Sequence, residues 1–190
     1  MRRALFVCCL VAALGSVGAA KAADVDTTAP PMVSDPFFNE VRLGVMGHGI
    51  DTSDEMGDVD LNVELLFSKP FHADGWVEYL IPRPHVGATI DFDGRTSTAY
   101  AGVTWHVQPF EFPVFVEASF GGSVNNGKDE GSENRIAVGC NLLFRESAAL
   151  GYQFDEHWSV IASIEHNSNA GLCSENRGIT NAGMKIGYKF

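Results

Sequence analysis

The chain reads as all-β: an eight-stranded antiparallel transmembrane β-barrel of the outer membrane. Three observations predict this. An export signal opens the sequence, short alternating strands separated by turn residues fill the remainder, and the last strand ends on the aromatic Phe190. A soluble barrel turns its apolar face inward, whereas a barrel in lipid is apolar outside and polar inside. The phase of the alternation therefore decides between them.

Met1-Arg2-Arg3 is a basic start, Ala4 to Ala20 an apolar run, and Ala20-Lys21-Ala22 a small-x-small sequence. This is the pattern of a secretory signal peptide over residues 1–22. The run is short for a membrane helix, and no other stretch reaches that length. Residues 23–38 are an irregular lead-in with Pro and Thr, and residues 39–190 are the barrel. Strands are expected near 40–51, 58–68, 83–92, 96–108, 113–124, 135–154, 158–169 and 179–190. Turn signals lie at 51–57, at Asp93-Gly94-Arg95, at 125–132 and at Asp155-Glu156-His157. Residues 71–82 do not alternate and fit a longer periplasmic connection.

Loss of Arg2, Arg3 and Lys21 with the signal takes the formal charge from −11 to about −14. So acidic a chain does not suit nucleic acid. Eight strands leave little room for a diffusion pore. Cys140 and Cys173 stay in the exported part. They either form a disulfide or stand as two separate small residues.

In the last three strands the even positions are apolar: Leu142, Phe144 and Leu150, then Trp158, Val160 and Ile164, then Met184, Ile186 and Tyr188. The odd positions include Arg145, Ser147, Ser159, Glu165, Asn181 and Lys185. With the chain ending on an aromatic, this is the apolar-out pattern of a barrel in lipid. His166 and Ser168 continue the even, outward series. From Trp158, eight residues at about 3.3 Å with a tilt of about 40° climb roughly 20 Å. That height places His166 at the outer-leaflet edge of an apolar band about 25 Å tall.

Histidine is the usual base that activates a serine, and side chains at i and i+2 share a strand face. The run His166-x-Ser168-Asn169-Ala170-Gly171-Leu172, then Asn176-x-Gly178, then Gly187-Tyr188-Lys189-Phe190 resembles the lipid A 3-O-deacylase family of Gram-negative outer membranes. The resemblance covers about 25 residues. It implies an eight-stranded barrel with a serine–histidine–acid triad on its outer wall, removing the ester-linked acyl chain at position 3 of lipid A without a cofactor. It makes His166 the base, Ser168 the nucleophile and Asn169 a contributor to the oxyanion hole. The partner implied is lipid A, or lipopolysaccharide, in the outer leaflet.

The sequence departs from the family at the acid. The position fourteen residues after the histidine is Thr180, which cannot stabilise an imidazolium as a carboxylate does. Glu165 points into the barrel, and nothing fixes Glu175 in its loop. Strand register offers Glu146: if Phe154 opposes Trp158, the residue facing His166 is Glu146, the one charge on that apolar face. Glu146 is therefore the expected acid, and an inactive or structural barrel of the same family is the alternative reading. The histidines at His85 and His106 lack metal-ligand spacing. Asp51, Asp54, Glu55, Asp58 and Asp60 cluster in the first outer loop, where a solvated loop is favoured over a calcium site.

Overall fold

In the computed structural model the described residues are 36–51, 57–109, 112–128, 130 and 136–190. The signal-peptide reading for residues 1–22, and the lead-in up to residue 35, lie outside them. Asp35–Phe190 forms one compact unit. It contains eight strands: β1 (Phe38–Gly47), β2 (Val59–Phe67), β3 (Arg83–Asp91), β4 (Thr98–Val107), β5 (Val114–Asn125), β6 (Leu142–Gln153), β7 (Trp158–Ser168) and β8 (Ile179–Lys189). Each pairs antiparallel with its sequence neighbour, and β1 closes on β8. Closure leaves no edge strand, so every ladder amide in the wall finds a partner without water.

The two faces of the wall divide as the alternation predicts. Val41, Leu43, Val45, Val116, Leu150, Ile164, Met184 and Ile186 are exposed on the outside. Phe38, Tyr152, Phe154, Trp158 and Phe190 mark the end where both termini of the barrel meet. The interior is buried, charged and paired. The Arg42 guanidinium donates to Glu117 at 2.7 and 2.8 Å and to Glu40 at 2.6 Å. Arg145 donates to Glu165 at 2.6 Å and stacks 3.7 Å from the centre of the Tyr100 ring. Lys185 lies 3.5 Å from Glu64. Buried ions survive only when paired, and these pairs fill the inside of the barrel with side chains.

Three differences from the expected elements bear on the site. β1 ends at Gly47 rather than at residue 51, because Gly49 takes a left-handed φ of 53° and turns the chain across the rim. The long strand expected over 135–154 begins only at Leu142. Ahead of it, Gly139 (φ 75°) bends the chain, and Ile136, Val138, Leu143 and Ile179 form a small buried cluster. The connection after β2 contains a single 3₁₀ turn, Gly75–Leu80. The Lys69 ammonium and the Ala73 amide hold the Glu78 carboxyl there, at about 2, below the usual carboxylate range.

Candidate active site

Register puts the sequence-predicted residues together. His166 faces Glu146 on β6 and Thr180 on β8, and Ser168 faces Phe144. The tight turn between β6 and β7 carries this pairing, with the Phe154 amide bonded to the Trp158 carbonyl at 2.9 Å. Directly opposed Cβ atoms in such a ladder sit about 4.5–5.5 Å apart. Glu146, Ala148, Ile164, His166 and Thr180 line an open groove of about 320 Å³ on the outer wall.

The imidazole does not bond to Glu146. Its Nδ1 lies 2.8 Å from the Thr180 hydroxyl oxygen. Glu146, the expected acid, faces the ring from β6 in the register expected from the sequence, without a hydrogen bond to it. Both residues flank His166 in register, but the ring turns toward β8, where it lies over Gly178. A Cβ on Gly178 would stand 2.7 Å from Nε2. Thr180 in turn bonds to the first outer loop. Its hydroxyl donates to Asp51 Oδ2 at 2.5 Å, and its amide donates to Asp51 Oδ1 at 3.0 Å. Sequence reasoning assigned Asp51 to a solvated acidic loop and missed this contact. The one available signal was that Thr180 shares the parity of His166.

The other described members of that acidic cluster, Asp58 and Asp60, pair elsewhere. Asp58 pairs with Arg95 at 2.7 Å, and buried Asp60 pairs with His48 at 2.7 Å. Asp54 and Glu55 lie outside the described residues. His85 bonds to Thr104 and His106 to Glu117, both as parts of the barrel interior.

His166 and Ser168 share the outward face two positions apart, with no hydrogen bond between their side chains. Directly after Ser168 the chain reverses through Ala170 and Gly171, both left-handed at φ 53° and 77°. For alanine that conformation costs roughly 1–3 kcal/mol and persists only where the surroundings enforce it. Asn169 supplies the enforcement. It is 1 % exposed; its Oδ1 accepts from the Gly171 amide, and its own carbonyl accepts from Leu172. Its Nδ2 donates to the carbonyls of Val138 and Glu175. The side-chain amide expected in an oxyanion hole is thus occupied in holding the loop. A disulfide joins Cys140 to Cys173, with Cα atoms 6.2 Å apart, and ties the loop to the segment before β6. Beside it Phe120, Leu142, Phe144, Leu172 and the disulfide line an apolar cleft of about 400 Å³.

The family model for lipid A 3-O-deacylase (PagL) matches residues 75–189, more than half of the chain. The chain belongs to the lipid A 3-O-deacylase family. Its structure is similar to that of the crystallised outer membrane enzyme PagL, with a TM-score of 0.59 at 20% identity, covering 78% of this chain and 97% of that one. It is also similar to the N-terminal β-barrel domain of Pseudomonas aeruginosa OprF, with a TM-score of 0.50 at 14% identity over 80% and 98% of the two chains. At these identities both comparisons speak to the fold alone. No curated protein matches the chain by sequence. A deacylase-family barrel with this apolar outer wall is a protein of the bacterial outer membrane. The matched span starts at the 3₁₀ turn and includes every residue of the groove, whereas Asp51, the partner of Thr180, stands before it.

Proposed function

We propose that this member of the deacylase family is an active outer-membrane esterase that removes the 3-O-linked acyl chain from lipid A in the outer leaflet. The observation that carries the reading is the placement of His166 and Ser168 on the outer face of β7, above the exposed apolar wall and beside two grooves open to the side. A soluble ester would have no reason to be met there, whereas an acyl chain in the leaflet arrives along that face. The apolar cleft at Phe120, Leu142 and Phe144 starts at the residue that opposes Ser168 and suits an alkyl chain.

In this mechanism Ser168 Oγ attacks the ester carbonyl while His166 Nε2 takes its proton, because Nδ1 is engaged by Thr180. The imidazolium then gives the proton to the departing sugar oxygen. Water, deprotonated by the same nitrogen, attacks the acyl-serine carbonyl, and Nε2 returns the proton to Ser168 Oγ as the fatty acid leaves. Asn169 contributes to the oxyanion site by shaping the turn that presents the Ala170 amide beside the nucleophile, the Gly171 amide being taken by Asn169 Oδ1. Glu146 is the acid across the groove, acting on the imidazolium as a nearby negative charge. No cofactor or metal enters the scheme.

Mass spectrometry of lipid A from cells with and without the protein tests the reading. The expected result is loss of one ester-linked acyl chain from the parent and none from Ser168→Ala. An intact acyl pattern in the parent, or equal loss with Ser168→Ala, supports the inactive-barrel alternative instead.

A further inference from the structure

We propose that Asp51 fixes the tautomer of His166 through the Thr180 hydroxyl, supplying by relay the carboxylate that the rest of the family is expected to place beside the histidine. The inference deepens the esterase reading and rests on it for its functional meaning.

The argument is one of proton counting. Thr180 Oγ1 contacts two groups, Asp51 Oδ2 at 2.5 Å and His166 Nδ1 at 2.8 Å. A hydroxyl has one proton to donate, and an ionised carboxylate can only accept. The Thr180 proton is therefore committed to Asp51. The remaining lone pairs of Oγ1 can only accept, so the imidazole must donate, and its proton sits on Nδ1. Nε2 is left with a bare lone pair, which is the tautomer a base needs toward a serine. When Nε2 becomes protonated, the Nδ1–H still points at an oxygen polarised by a carboxylate. No proton travels along the relay.

Asp51 is held for this task by the closure of the barrel. The left-handed Gly49 turns the chain over the rim, and the Gly49 amide donates to Asn181 Oδ1 at 2.9 Å. The Ile50 amide donates to the Thr180 carbonyl at 2.8 Å, and the Thr180 amide returns a bond to Asp51 Oδ1 at 3.0 Å. Among the described residues, the other acidic groups beside His166 are differently engaged. Glu146 faces it from β6 without a hydrogen bond. Glu165 points inward to Arg145 and Thr89. Asp51 is thus a positioning residue: it acts on His166 only through Thr180.

The full-length protein in detergent micelles, with ¹⁵N-labelled histidine, gives a readout independent of turnover. His166→Gln identifies the His166 signals. The parent is expected to show neutral His166 protonated on Nδ1. Asp51→Asn should move the population toward the Nε2–H form, because the asparagine amide would donate to Oγ1 and turn the threonine proton toward Nδ1. Thr180→Ser, which keeps the hydroxyl, should retain the parent tautomer. An Nε2–H tautomer in the parent, or no change in Asp51→Asn, overturns the proposal. Kinetics on lipid A add a second arm. Asp51→Asn should lower kcat on the order of 10²-fold, within the range of a positioned general base, with KM little changed. In a Thr180→Glu background, where a carboxylate meets the imidazole directly, the same substitution should cost nothing further. An equal fall in both backgrounds would assign Asp51 a purely structural role in the loop. If the parent releases no fatty acid, the esterase reading fails, while the tautomer measurement still decides the relay.

Discussion

Gly178→Ala is the most direct probe of how the base is held. The His166 ring lies over Gly178, and a new Cβ would stand 2.7 Å from Nε2. Carbon and nitrogen atoms rest about 3.5–4.0 Å apart, so the ring must retreat by about 1 Å. The loop cannot give instead without moving backbone, since the Asn167 carbonyl oxygen would be 3.1 Å from the same Cβ. A displacement of about 1 Å at a catalytic group costs roughly 10²-fold in rate, equivalent to about 2.7 kcal/mol of barrier. The ring would also be pushed off the Thr180 hydroxyl, its Nδ1 partner. Overpacking of this kind costs about 1–3 kcal/mol of stability, which a closed barrel tolerates. The assay is fatty-acid release from purified lipid A in mixed micelles, with folding monitored by heat-modifiable gel mobility. A folded Gly178→Ala protein is expected to show kcat reduced by roughly two orders of magnitude. A kcat within threefold of the parent, with the barrel folded, would refute a base seated against Gly178.

Two further outcomes are expected. Glu146→Gln removes a charge opposite His166. At about 5 Å, with an effective dielectric between that of water and 20, the charge is worth about 1–3 kcal/mol to an imidazolium, so kcat should fall roughly tenfold to a hundredfold; unchanged turnover in both Glu146→Gln and Glu146→Ala would remove Glu146 from the mechanism. Replacing Cys140 and Cys173 together by serine opens a bridge that spans 33 residues. Loop entropy alone then lowers the unfolding free energy by up to about 4 kcal/mol. Urea titration should show that loss in the variant, and reductant should destabilise the parent but not the variant.

Much of the site was legible because its geometry is local. A four-residue connection between β6 and β7 sets the register of that hairpin, and each later pair follows from it by counting. That is why Glu146 could be placed opposite His166 from sequence, as the structure pairs them. The parity that carries Trp158 and Ile164 outward carries His166 and Ser168 with them. What could not be read was the direction of the ring, since Glu146 and Thr180 flank it symmetrically in register and only side-chain packing over Gly178 selects one. Nor could Asn169 be read as a loop fastener, because its acceptors, Val138 and Glu175, lie in loops of irregular conformation.

The sequence by itself determined the barrel, its polarity and the outer-wall position of the histidine and serine. Period-two alternation and short hairpin turns are properties of neighbouring residues, and lipid on one side leaves only one phase affordable. The tertiary structure alone decided what stands behind the histidine. Asp51 and Thr180 are 129 residues apart, and they meet because β1 closes on β8. That closure joins the two ends of the domain. It leaves no mark in any local window of the chain, yet it determines which carboxylate meets the Thr180 hydroxyl.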